Sequence, residues 1–261
     1  MRKKMIFDNK EEFNFGWSGR WMNGYWIAGT ICLIISTIFF INALINQMFI
    51  NVLINQIVGI AVLLLSIQLF GGNYVWRKSR SYDYMTLPYT DFLGTNDYIM
   101  DACAGSGRTA LALSKIMKNG SIVCYDRFDA NYIENGGMGL LKKNLKNAGI
   151  ENRVEIVKGD ITDIKFEDNT FDSVISTYGL DHIPFDAQRK AIKEIYRVTK
   201  PKGKLLVVVF VPNFYMFLVG SFFIFLFTSR KKWRGIFKEA GYKLSDEGII
   251  NGGGYFLLEK V

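Results

Sequence analysis

Residues 98–110 read YIMDACAGSGRTA. The apolar run at 98–101 suits a short strand buried on both faces, and it feeds a loop of small residues, CAGSG, before a helical stretch from 109 to about 116. Strand, tight turn and helix in this order form the unit from which doubly wound α/β sheets are built. Gly105 and Gly107 let backbone approach a ligand at the turn. Further on, SIVCY (121–125) ends at Asp126, a second strand closing on an acid about twenty residues after the loop, where such sheets meet ribose hydroxyls.

The alternation continues from there to the last residues. A helix over 132–148 leads to a strand at 154–157, followed by Gly159 and Asp160; FDSVIS (171–176) is the next strand. A helix over 186–199 runs through KPKG (200–203) into a fifth strand at 204–210, whose LLVVVF is apolar throughout. A helix near 233–240 and strands near 243–251 and 255–260 complete an α/β pattern that predicts a seven-stranded, mostly parallel sheet with ligand at the strands' carboxyl ends.

Upstream the solvent regime changes. Between Arg20 and Arg77 there is no Asp, Glu, Lys, Arg or His. Residues 26–45 and 49–70 are each long enough at about 1.5 Å per residue to cross a hydrocarbon core of roughly 30 Å. The link around Asn46, Gln47 and Met48 is short, so residues 21–76 are expected to form an antiparallel transmembrane hairpin. Asn42, Asn46, Asn51, Asn55 and Gln56 are expected to hydrogen-bond across it, and Trp21, Tyr25, Trp26, Tyr74 and Trp76 to form an interfacial belt.

The formal charge is +8, but the cations flank apolar segments rather than line one face. Arg2, Lys3 and Lys4 precede the hairpin, Arg77, Lys78 and Arg80 follow it, and Arg230, Lys231, Lys232 and Arg234 follow a second apolar stretch. This placement favours anionic lipid headgroups over nucleic acid and puts both segment 1–20 and the 77–261 domain in the cytoplasm of a plasma-membrane protein. Aromatic residues are not interleaved with Lys and Arg as single-strand binding needs. Cys32, Cys103 and Cys124 lack the pairing of a metal site or disulfide framework, so no metal is expected.

The order YIMDACAGSGRTA, VCYDRFD, GDITDI with FDSVIST, and YRVTKPKGKLLVV resembles the class I, Rossmann-like S-adenosylmethionine-dependent methyltransferases over about 93–261. The resemblance implies S-adenosylmethionine as cofactor. Asp101 would anchor its ammonium, Asp126 accept both ribose hydroxyls, Asp160 take the adenine amino group, and Ile161 lie against the ring. Ala102, Cys103, Ala104, Gly105 and Gly107 would form the loop under the methionine moiety, with Arg127 and Ser176 completing the set. Cys103 stands where the family has its first loop glycine. GSGRTA also fits a dinucleotide fingerprint, but Asp101 would set a carboxylate beside a pyrophosphate.

His182, Tyr178 and Asp181, in STYGLDHIPF, are the candidate catalytic residues, with His182 a possible general base for a hydroxyl acceptor. The loop lacks the Asn-Pro-Pro-Tyr sequence of enzymes that methylate base amines. Within an insertion at 212–229, FYMFLVGSFFIFLF (214–227) is too short to span and fits an interfacial or re-entrant segment, unless 205–227 is a third span that consumes the fifth strand. The expected acceptor is lipid-like and membrane-borne, a phospholipid amine or an isoprenoid quinol. A membrane-protein lysine and a non-catalytic scaffold are the rival expectations.

Overall fold

A computed structural model describes residues 13, 15–16, 19–45, 48–79, 87–88, 90–117 and 119–261, with the side chains of 19–22 and 76–79 excluded. The expected roles of Arg2, Lys3, Lys4, Asn46, Gln47 and Arg80, and of the side chains of Trp21, Trp76, Arg77 and Lys78, lie outside the described residues.

Two long helices come first, α1 (Gly19–Ile45) and α2 (Phe49–Ser79), each longer than the apolar core that marks it. Both are long and apolar enough to cross a membrane. They pack antiparallel through small residues. Ser66 Oγ donates to the Gly29 carbonyl and Ser36 Oγ to the Gly59 carbonyl, both at 2.9 Å. Gly29 has the Phe70 ring against its Cα, and Trp26 packs on the same ring at 4.9 Å. Glycine opposite a large ring brings the backbones close enough for the serines to reach a helical carbonyl. Asn51, expected to bond across the pair, donates instead to Met48 Sδ.

The rest is the predicted alternation. It comprises β1 (Tyr98–Ala102), α3 (Arg108–Ser114), β2 (Ser121–Asp126), α4 (Met138–Asn147), β3 (Val154–Lys158), β4 (Phe171–Thr177) and α5 (Phe185–Val198). Then come β5 (Thr199–Val209), α6 (Phe214–Gly220), α7 (Arg230–Ala240), β6 (Tyr242–Ile250) and β7 (Gly253–Lys260). The sheet order is β3-β2-β1-β4-β5-β7-β6, with β7 the strand that runs antiparallel to both its neighbours. The chain reverses its winding between β1 and β4, which opens a crevice at their carboxyl ends.

Side chains alternate across the sheet. Met100, Ala102, Val123, Leu205 and Val207 meet α5 and α7 on one face, where Trp233, Ile236 and Phe237 are buried. Ile99, Cys124, Ile175 and Leu206 meet α3 and α4 on the other. The same alternation aims Asp101 at α3.

Two expectations are corrected. The helix expected over 132–148 begins only at Met138, because Gly136 and Gly137 adopt φ of 72° and 94°, which no helix continues. The alternative third span at 205–227 is overturned, since Leu205 to Val208 pair with both β4 and β7. The insert is instead α6 followed by a 3₁₀ stretch, Ser221–Leu226. It meets α7 at 55°, and α7 lies on the sheet, so the two do not continue through a membrane.

Candidate active site

The loop after β1 is shaped by its small residues. Cys103 and Ala104 N–H both donate to the Tyr125 carbonyl, Gly105 has φ of 52°, and Gly107 (φ 85°) caps α3. A Cβ on Gly107 would lie 2.3 Å from Leu141 Cδ1. Cys103 itself sits at φ of 63°, a left-handed conformation that favours glycine. Its side chain is accommodated from across the crevice: a Cβ on Gly179 would be 2.3 Å from Cys103 Cβ, so glycine there leaves the room that cysteine takes. Burial and the carboxylates of Asp126, Asp101 and Asp181 push this thiol well up, which keeps it neutral.

Asp126 ends β2 beside the loop. Its Oδ2 accepts from Gly105 N–H at 2.9 Å and its Oδ1 from Phe128 N–H at 2.6 Å. Burial raises its carboxyl, and these two donors work against that rise. Asp160 follows β3; its Oδ1 accepts from Thr162 N–H at 2.8 Å and Thr162 Oγ1 at 2.7 Å, while Oδ2 lies 3.7 Å from Arg127. Those donors hold Asp160 below the usual carboxylate range.

These groups surround a cavity of about 420 Å³. Of the expected cofactor residues, Cys103, Ala104, Gly105, Asp126, Arg127, Asp160 and Ile161 line it. Asp101, Ala102, Gly107 and Ser176 stand behind the lining. Of the expected catalytic residues, His182 and Tyr178 line it, whereas Asp181 is buried beneath, its Oδ2 accepting from Phe210 N–H at 3.0 Å.

Among the lining residues that escaped the sequence reading are Phe15, Arg108, Tyr132 and Thr177. Arg108 lies inside the loop motif itself and carries the only cation of that stretch, a signal that was legible. Thr177 Oγ1 lies 2.7 Å from Thr109 Oγ1 and pins α3 to β4. Phe15 precedes the hairpin and returns to the cavity: its carbonyl accepts from Ser106 Oγ, its ring lies under Arg108, and the neighbouring Gly16 carbonyl accepts from Glu134 N–H. Tyr132 stacks on His182 with ring centroids 4.5 Å apart. His182 also meets Phe210 at 6.4 Å and Phe227 at 6.0 Å, and Phe210 meets Tyr178 at 4.9 Å. At one end of the cavity Tyr132, Tyr178 and His182 are therefore the lining side of an aromatic box, with Phe210 and Phe227 packed behind them.

A family model described as a methyltransferase domain matches residues 99–203, from β1 into the turn within β5. Over these residues the chain carries a methyltransferase domain, on the Rossmann-like fold of S-adenosylmethionine-dependent methyltransferases. It is 30% identical over 153 residues to the ubiquinone/menaquinone biosynthesis C-methyltransferase of Blochmanniella pennsylvanica, covering 58% of this chain and 55% of that one. It is 33% identical over 115 residues to the demethylmenaquinone methyltransferase of Lactiplantibacillus plantarum, covering 44% and 45%. The chain thus spans about half the length of these relatives. A solved S-adenosylmethionine-dependent methyltransferase from Methanosarcina mazei superposes with a TM-score of 0.54 at 18% identity, over 66% of this chain and 95% of that one, a likeness of fold.

The residues present fit the methyltransferase cofactor. Asp101 is fully buried; its Oδ2 accepts from Ala110 N–H at 3.1 Å, while Oδ1 has no hydrogen-bond partner among the described residues. Burial pushes its carboxyl up to about 8. Such a group is protonated at neutral pH until a cation comes near. The unfolded chain ionises it near 4, so the folded state loses stability between about pH 4 and 8 and the loss levels off above. A cofactor ammonium reverses this by favouring the carboxylate. Binding of S-adenosylmethionine at pH 6.5 is therefore expected to release about one proton per site, read by calorimetry in buffers of different ionisation enthalpy. Asp101→Asn should abolish that release; an unchanged proton count would take Asp101 out of cofactor binding.

Proposed function

We propose that this protein is a membrane-anchored methyltransferase whose acceptor is a quinol-type ring carried in the bilayer. The observation that carries the reading is the aromatic box at the end of the cofactor cavity, which Tyr132, His182 and Tyr178 line and Phe210 backs. Flat faces and edges of rings favour an aromatic guest through offset and edge-to-face contact. The names of the relatives point the same way, since those proteins act in quinone biosynthesis.

S-adenosylmethionine, when bound, supplies an electrophilic methyl group. Asp126, Asp160 and the loop from Cys103 to Gly105 would hold it in place, and Arg108 would supply a cation for its carboxylate. His182 and Tyr178 are the side chains that meet the acceptor. A hydroxyl on the ring that gives its proton to His182 makes the ring electron-rich, and positioning supplies much of the remaining acceleration. Asp181 acts at one remove by holding Phe210 in the wall of the box.

The anchor follows from the hairpin and the insert together. Phe214, Phe222, Phe225 and Leu226 are each more than half exposed, beside a hairpin whose outward face is also apolar. A patch of this kind is stable against acyl chains and not against water. With both spans crossing, the basic flanks favour a cytoplasmic side for the catalytic domain.

The test uses the full chain in nanodiscs, with methyl-labelled S-adenosylmethionine and an isoprenoid-tailed 1,4-naphthoquinol lacking the ring methyl. Label is expected on the quinol. Label entering only phospholipid amines or polypeptide would overturn the quinol reading.

A further inference from the structure

A second cavity, of about 440 Å³, lies between the hairpin and the insert. Tyr25 and Ala28 of α1 form one side, Val219 and Phe223 the other, and Phe210 and Phe227 close one end. Its wall is apolar apart from Tyr25 and Asn73. Water needs two to four polar partners to occupy such a space, so hydrocarbon is the occupant that suits it.

The walls are fixed in place. Gln68 Nε2 of α2 donates to the Phe217 carbonyl at 2.8 Å, and Ser221 Oγ lies 3.3 Å from Gln68 Oε1. Gly72 approaches the Val219 carbonyl so closely that a Cβ there would be 2.2 Å from its oxygen. Tyr25 meets Phe223 edge-on at 6.3 Å. These contacts make a preformed slot between a spanning helix pair and a surface segment.

Two rings stand between the slot and the residues that line the cofactor cavity. Phe210 and Phe227 line the slot on one side, and on the other they pack on Tyr178 and His182, with Phe210 and Phe227 themselves 5.6 Å apart. Resting on the function proposed above, we propose that this slot is the binding site for the isoprenoid tail of the acceptor. A head group seated against His182 then lies across Phe210 and Phe227 from the slot. Tail capture holds the ring at the cofactor and makes the enzyme selective for acceptors that carry a chain.

The test uses the full chain in vesicles of phosphatidylcholine and phosphatidylglycerol. The probe is a farnesyl-tailed naphthoquinol with a diazirine near the tail end, and labelled peptides are mapped by mass spectrometry. Label is expected in 24–28 and 219–227, and it should fall at least fivefold under excess untagged farnesyl naphthoquinol. Label confined to outward positions such as Ile34 and Leu64, or label in the slot that the competitor does not displace, would overturn the proposal; the latter would mean that bulk lipid fills it.

Ala28→Trp, which fills the slot from the hairpin side, should raise KM for the tailed quinol at least tenfold more than for tail-free naphthoquinol. Should that variant lose S-adenosylmethionine binding, the label map of the unmodified protein decides alone. Competed label in the slot without methyl transfer to any quinol would sink the quinol reading and keep the tail site. Transfer to the tailed quinol without label in the slot would do the reverse.

Discussion

Asp126→Ala is expected to weaken S-adenosylmethionine binding by roughly 30- to 150-fold, about 2 to 3 kcal/mol, because charge-assisted hydrogen bonds are lost. The carboxylate has two duties. It faces the cavity at the end of β2, and it holds the loop by accepting from Gly105 N–H while fixing the next turn through Phe128 N–H. Alanine removes the acceptor for the ribose and leaves both backbone donors to find new partners. Asp126→Asn keeps one acceptor oxygen and should lose less. Isothermal calorimetry reads both, with melting temperature reporting any loss of fold. Affinity within twofold of the unmodified protein would exclude Asp126 from the cofactor site.

Gly72→Ala should lower kcat/KM for a membrane-borne quinol by tenfold or more. One methyl group is a small change, and alanine is favoured over glycine in a helix by about 1 kcal/mol. Here it meets backbone: the new Cβ would be 2.2 Å from the Val219 carbonyl oxygen, and neither partner can rotate aside. The insert must lift from α2, which strains the Gln68 bonds to Phe217 and Ser221. Gly71 provides the comparison, since a Cβ there meets nothing within 4 Å. Gly71→Ala is expected to turn over the quinol as the unmodified protein does. Equal activity of the two variants would show that the hairpin and insert need not touch for catalysis.

The parallel strands were legible because a strand buried on both faces has to be apolar along its whole length, as LLVVVF is. The acids at their ends were legible because a carboxylate closing such a run has few structural uses. Tyr132 was lost for a specific reason. The helix expected over 132–148 took it in as its first residue, but the Gly136–Gly137 break frees residues 131–133 to line the cavity. Backbone conformations at positive φ depend on what surrounds them, and no periodicity reports them. The asparagines of the hairpin drew attention as its polar groups, yet Ser36 and Ser66 tie the helices, because what reaches across depends on the register of two helices and on Gly29 and Gly59 opposite. Asp181 stood next to His182 in sequence; the tight turn over Leu180–His182 sends its carboxylate under the site toward Phe210.

Phe15 and Gly16 lie ahead of the hairpin in the chain; Phe15 touches the loop that follows β1, and Gly16 accepts from Glu134 N–H. The two long apolar helices are therefore spliced into the catalytic unit, with a piece of its wall on either side, and are not a leash hung from one end. Trimming the protein after α2 to obtain a water-soluble fragment would carry off the residue beneath Arg108 and leave the cofactor crevice open on that flank. Measurements on such a fragment would describe a receptor with one side missing.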